Sequence, residues 1–423
     1  MRVKAHYYPV KFCPAYAGNP LIEALPAINS PSEALQILLA RPDIDMHEVR
    51  SIPAHQRMHS LSLLDSLFIP RPEMSPLESE IGMLIRSGYA KRNPILPNTT
   101  RQIYTARERM RLQGGVESPL PPCLALTGMS GLGKSRSIKS ILSLYPQVIQ
   151  HRRYEGKRFN HQQITWISLD APVNGSVTGF LLRAFGAIDR ALGTEGPASY
   201  VNQYGRAKIS VDTKIEELGQ IASTFHLGLL HIDDLQRLAE VGNKKSRPVI
   251  NLIIQLANVV KVPLLLSGTH QMVNLIAGSM EASRRVSSES IQHLKLPGSA
   301  QDGHFQLLVA ALEKYQFVDK PARFDAAWKD KLFDLSQGLP AVLLSLLKNA
   351  QKIALRTGQE LSLGHLDVAY QEHCTLLHPA LEALRKKEGD YYLAYEDLLP
   401  PQKLLELANE KLRKQARKAI GAP

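Results

Sequence analysis

Between residues 123 and 296, short and nearly continuous apolar runs alternate with stretches whose apolar positions recur every three or four residues. Five runs stand out: CLALTG (123–128), ITWISLD (164–170), LGLLHIDD (227–234), VPLLLSG (262–268) and IQHLKL (291–296). A strand buried on both faces has no polar side to alternate with, so this texture predicts an α/β fold: a five-stranded parallel sheet with helices on both faces. After the fifth run the period changes. HFQLLVAALEKYQF and LPAVLLSLLKNAQKIAL carry apolar residues at helical spacing with no further strand signal, which predicts a helical lid. The first hundred residues are broken by Pro26, Pro31, Pro42, Pro53, Pro70, Pro72 and Pro76, with helical patterns such as SEALQILLA and ESEIGMLIRSGY between them. They read as an irregular N-terminal module. The end of the chain, QKLLELANEKLRKQARKAI, is helical by pattern and basic, with six Lys or Arg against two Glu. The expected division is an irregular N-terminal module (1–100), an α/β domain (101–300), the lid (301–375) and a basic tail (376–423).

Length supports this division, since 423 residues exceed the usual span of one domain. No apolar run approaches the roughly 20 residues needed to cross a bilayer, so no membrane association is expected. The first residues, MRVKAHYYPVKFCPAY, contain no apolar stretch followed by a cleavage site, and a cytoplasmic protein is expected. Cys13, Cys123 and Cys374 lie far apart without ligand spacing, which argues against a disulfide framework and structural zinc. A net charge of +12 suggests a polyanionic partner, though charge alone does not choose nucleic acid.

The chemistry centres on residues 128–135. Gly128, Met129, Ser130, Gly131, Leu132, Gly133, Lys134 and Ser135 form a complete GxxxxGK[ST] set, directly after an apolar run and before a helical pattern. Glycines let such a loop turn its N–H groups inward around phosphates, and the helix N-terminus then faces the anion. Lys134 is placed to reach the β- and γ-phosphates of ATP, and the Ser135 hydroxyl to coordinate Mg2+. LGLLHIDD ends on Asp233, the carboxylate expected to hold the metal with Ser135.

With these motifs the domain resembles AAA+ P-loop NTPases. That resemblance puts Asp234 where the family carries the glutamate that polarises the attacking water. Aspartate is one methylene shorter, and misplacing a base by about 1 Å costs on the order of 100-fold, so slow hydrolysis is expected. The alternative for Asp234 is a helix cap. At the tip of the fourth run, Ser267 or Thr269 takes the position of the family's γ-phosphate sensor. Arg284 and Arg285, in EASRRVSS, take that of the arginine finger offered to a neighbouring subunit; they could equally be partners of a helix C-terminus. SQGLPAVLLSLL has no arginine in its first two turns, so the lid's second sensor arginine is not evident.

More specific pieces lie outside the nucleotide motifs. NPLIEALP (19–26), IRSGYAKRNP (85–94), YPQVIQHR (145–152), AIDRALG (187–193), LGLLHIDDLQ (227–236), SRR (283–285) and HPALEALR (378–385) together resemble TnsC, the AAA+ regulator of target-selecting transposons, with the TniB proteins more distant. The resemblance covers nearly the whole chain. It implies ATP-bound homo-oligomers, rings or filaments, on double-stranded DNA. It also implies a target-selection protein or RNA-guided complex as the source of the signal, and transposase subunits as its recipients. The DNA-contact candidates are Arg152, Arg153, Lys157 and Arg158, in a basic insertion between the first two runs, and the basic tail. Competing readings are a replication-initiator or helicase-loader type AAA+ protein, an adaptor that binds ATP without turnover, and, last, a metabolic P-loop kinase.

Overall fold

The computed structural model describes residues 2–112, 121–206, 208–277 and 291–386. Its described strands are β1 (Arg2–Lys4), β2 (Cys123–Thr127), β3 (Val148–Gln150), β4 (Arg153–Tyr154), β5 (Lys157–Arg158), β6 (Gln162–Ile164), β7 (Trp166–Asp170), β8 (Leu229–Asp233), β9 (Leu264–Gly268) and β10 (Ile291–His293). Five of them form one sheet in the order β10-β2-β9-β8-β7, each neighbouring pair parallel. Alternate residues of β2 enter different cores: Leu124 and Leu126 one, Cys123 and Ala125 the other. Every residue of β2, β8 and β9 is buried, which is why these strands read as unbroken apolar runs.

The second run differs from expectation. Gln162–Ile164 belongs to a separate three-stranded sheet, β1-β3-β6, while Trp166–Asp170 joins the central one. Thr165 is the turning point; it is fully buried, and its N–H donates to the Gln147 carbonyl at 2.9 Å, one position beyond the Val148–Ile164 pair of β3 and β6.

The longer helices are α1 (Met74–Ala90), α2 (Lys134–Ser143), α3 (Val177–Leu192), α4 (Val211–Thr224), α5 (Asn243–Val260), α6 (Gly303–Lys314), α7 (Ala326–Ser336), α8 (Pro340–Thr357) and α9 (Leu363–His373). Apolar residues of α3, α4 and α5 cover one face of the central sheet. α1, α2 and the lid helices α6–α9 share the core on the other face.

The first hundred residues are part of that second core. Leu21, Leu64, Met74, Leu77, Ile81, Ile85 and Tyr89 are buried together with Leu126 of the sheet and Leu343 of the lid. Polar ties cross the same boundary. Arg57 donates to the Phe317 carbonyl at 2.9 Å and pairs with Asp319, and Arg92 donates to the Leu227 carbonyl at 2.7 Å. β1 pairs in parallel with β3, Arg2 opposite Val148.

Candidate nucleotide-binding site

Parallel strands leave their C-terminal ends facing a common crevice, and the loop after β2 sits there between its neighbours β9 and β10. Gly131 and Gly133 adopt φ of 81° and 90°, left-handed values that favour glycine. Gly128 meets a different constraint, because a Cβ there would lie 3.1 Å from the Leu294 carbonyl oxygen. Met129 and Leu132 point into the core and Ser130 is exposed, so the loop is pinned from beneath. Lys134 opens α2; its Nζ donates to the carbonyls of Gly128 and Met129 at 2.8 and 2.9 Å, lying across the loop it must serve. The lid reaches the same loop, with the Ala341 N–H 3.4 Å from the Gly131 carbonyl.

Asp233 ends β8 and is buried. Burial alone would raise its carboxyl pKa, but hydrogen bonds from Ser267 and Ser135, with the Asp234 N–H, outweigh it and hold the group below its ordinary value. Ser267 Oγ donates to Asp233 Oδ1 at 2.6 Å. Ser267 has therefore spent its proton, and it must accept from His231 Nε2, 2.8 Å away. The neutral His231 ring then presents a bare Nδ1, which accepts from Ser168 Oγ at 2.8 Å. Complete burial pushes the His231 pKa down to about 4, consistent with that neutral form. A directed chain of hydrogen bonds thus runs from β7 through β8 and β9 to the acid.

Asp234 has φ 53°, left-handed backbone that turns the chain out of β8. It is not a helix cap; the cap position of the short helix Gln236–Glu240 belongs to Leu235. Its carboxylate receives Arg237 at 2.6 Å and Gln236 Nε2 at 3.1 Å. Gln236 also accepts the Thr269 N–H at 3.1 Å, linking Asp234 to the end of β9. Of the two sensor candidates, Ser267 is committed to Asp233. Thr269 is 3% exposed, and among the described residues its Oγ1 has no hydrogen-bond partner.

The loop, Asp233, Ser135, Asp234, Ser267 and Thr269 are brought together. Arg284 and Arg285 lie outside the described residues, as does the tail from 387 onward. Arg152, Arg153, Lys157 and Arg158 do not join the site. They are exposed on and beside a two-stranded hairpin, β4 and β5, turned by Glu155 (φ 47°) and Gly156 (φ 77°). The hairpin is anchored by buried Tyr154, which donates to Glu23 at 2.7 Å, and by Phe159, packed edge-on against His151.

Sequence reasoning missed His231, Gln236 and Arg237. His231 had a signal: a titratable residue inside the otherwise apolar LGLLHID. Gln236 and Arg237 had none, because their roles depend on the turn at Asp234.

The donors fit a magnesium nucleotide. Asp233 and Ser135 are hard oxygen donors already within hydrogen-bonding reach of each other, and Thr269 Oγ1 is a buried hydroxyl without a mate among the described residues. Residues 120–276 match the family profile described as AAA domain. That segment is an AAA domain. With its five-stranded parallel sheet, phosphate loop and helices, the fold is that of AAA+ P-loop NTPases. No curated protein matches the chain. Among solved structures, it is similar to a Walker-type ATPase of Pyrococcus abyssi, with a TM-score of 0.40 and 14% identity over 75% of this chain and 88% of that one. It is also similar to the Thermotoga maritima RuvB Holliday junction branch migration motor, at 0.34 and 14% over 65% and 68%. Drosophila ORC bound to DNA gives 0.34 and 12% over 76% and 80%. Likeness at this level indicates no function.

Proposed function

We propose that this chain is an ATP-dependent, DNA-binding regulator of DNA transposition whose ATP-bound subunits assemble on double-stranded DNA and recruit the transposase. The observation that carries the ATP-binding part is the AAA domain's phosphate loop set against Asp233, whose carboxylate is held by Ser267 and Ser135. Lys134 and the N-terminal N–H groups of α2 bind the phosphates; Ser135 and Asp233 hold Mg2+; Thr269 meets the γ-phosphate; Asp234 orients water. Mg2+ supplies neutralisation of charge on the transferred phosphoryl group. The transposition part rests on the resemblance to TnsC in segments that nucleotide chemistry does not require. The DNA part rests on the exposed basic hairpin and the net charge of +12. Target selector, transposase and the finger role of Arg284 and Arg285 follow from the same resemblance.

The test is electron microscopy of the purified protein with duplex DNA, in ATP, a non-hydrolysable analogue, ADP and no nucleotide. Rings or filaments on DNA only with the triphosphate are expected. A protein that stays monomeric and off DNA in every state at low salt overturns the reading.

One observation favours a second reading, an adaptor that binds ATP without turnover: Asp234 is occupied by Arg237 and Gln236. Phosphate release separates the two. Slow release that falls further in Asp234→Asn supports the regulator; no release above a Lys134→Ala control supports the adaptor.

A further inference from the structure

A cavity of about 20 Å³ lies where the first hundred residues meet the AAA domain, with Leu21, Ile103, Val259 and Val260 among its walls. Three cationic side chains also line it: Arg92 after α1, Arg109 on the short helix Ala106–Arg111, and Lys261 after α5. Among the described residues, no aspartate or glutamate does. Arg92 is 8% exposed. Its Nε donates to the Gly88 carbonyl at 3.0 Å, and its Nη1 to the carbonyls of Leu227 and Val260 at 2.7 and 3.5 Å. Among the described residues Nη2 finds no acceptor, so that edge of the guanidinium is the one left for the cavity. Carbonyls take up the hydrogens of a guanidinium but bring no net charge to offset its own. Burial pushes the Arg92 pKa down to about 10, and the group acting against burial is Tyr89. Tyr89 supplies no counter-charge at neutral pH, because burial raises its own pKa and keeps the phenol protonated. Arg109 is likewise lowered by burial. Burial, with His161 and Arg92 nearby, also holds the His226 ring on the cavity wall well below its ordinary pKa.

We propose that this cavity is a structural anion site, in which one chloride ion accepts from Arg92 Nη2 between the N-terminal module and the AAA domain. Charge selects an anion over water. A water satisfies Nη2 as an acceptor but leaves the buried cation uncompensated, whereas a monovalent anion does both, and an unpaired buried charge is among the costliest arrangements in a protein. Size selects a monatomic anion. Room for one water takes roughly 10–15 Å³, and a chloride ion is only slightly larger than a water. Thr99 and Ser223, also on the wall, bring hydroxyls able to donate to the same ion. The ion then joins three parts of the chain: the helix Pro97–Tyr104, which carries Thr99, the end of α4, which carries Ser223, and the residues flanking the end of α5. The site needs neither nucleotide nor DNA and stands apart from the proposed function.

The experiment has two parts, both on the full chain without nucleotide. Anomalous diffraction from crystals grown in sodium bromide locates the ion, bromide standing in for chloride. Thermal melts compare sodium chloride with sodium gluconate at equal ionic strength, for the parent chain, Arg92→Met and Arg109→Gln. A bromide peak beside Arg92 Nη2 is expected, with a melting temperature higher in chloride by about 2 °C or more that saturates with concentration. Arg92→Met should abolish the difference between the two salts, and Arg109→Gln, whose side chain is only part-buried, should reduce it. A chloride-specific rise of the same size in Arg92→Met as in the parent assigns the effect to another place and overturns the proposal. Should Arg92→Met fail to fold, the bromide map of the parent chain decides. A map with no anomalous peak in the cavity, whether the space is empty or holds a water, overturns the proposal whatever the melts show.

Discussion

Ser267 accepts from His231 and donates to Asp233, so its hydroxyl has a direction, and reversing or deleting it changes the acid. Ser267→Ala removes a bond that favours the ionised carboxylate. The Asp233 pKa then rises, and the acid limb of the activity profile moves to higher pH, with turnover at neutral pH reduced; an unshifted limb would show that Ser267 does not tune Asp233. His231 gives a second pH effect, on stability. Its folded pKa of about 4 lies below the unfolded value of about 6.5, so the unfolded chain binds more protons between these limits. Stability is complete above pH 6.5 and is lost as pH falls towards 4, by about 2 kcal/mol at pH 5 from this residue. In His231→Gln, the fall in melting temperature from pH 7 to pH 5 should be smaller; an unchanged fall would assign the loss to other groups, with His151 and His270 pushed down to about 4 as well.

The hairpin β4–β5 presents Arg153, Lys157 and Arg158 on a short, anchored element rather than a loose loop. Replacing all three by Gln should weaken duplex binding uniformly across sequences and reduce the salt slope by about one unit for each phosphate that is no longer neutralised. An unchanged slope in filter binding would move the DNA-binding surface elsewhere. The central strands were legible in the sequence because burial on both faces removes polar positions from them. ITWISLD supplies a strand of that sheet, Trp166–Asp170, but does not reveal that Ile164 ends a strand of another, because the buried Thr165 between them gives no break in hydropathy. The loop at 128–135 was legible as a turn from strand to helix, since Gly131 and Gly133 take left-handed backbone there and Lys134 opens the helix. Gln236 and Arg237 were not, because their bonds to Asp234 depend on the left-handed turn at that residue. The resemblance segments NPLIEALP and IRSGYAKRNP also meet: Arg86 donates to the Pro26 carbonyl at 2.6 Å, and Asn19 to the Tyr89 carbonyl at 2.8 Å. Much of what those segments contribute is framework.

At the scale of the molecule, the first hundred residues and the lid form one core with the sheet. A chain beginning at residue 101 would expose the apolar face left by Leu77, Ile81, Ile85 and Tyr89, and would lack Arg92, whose burial lowers its pKa to about 10 and whose bonds tie α1 to the carbonyls of Leu227 and Val260. Such a fragment should show no cooperative melt and bind no nucleotide; a cooperative melt with retained ATP binding would establish the AAA domain as independent.

The pairing of β1 with β3 also sets an order of events during synthesis. Arg2 is synthesised well ahead of its partner Val148, so at about 5–20 residues per second β1 waits on the order of 10 to 30 s for an edge to join. For that interval Arg2, Val3 and Lys4 have no partner strand. The strand of the β1-β3-β6 sheet that is made earliest can therefore pair only after the central strand β3 has been made.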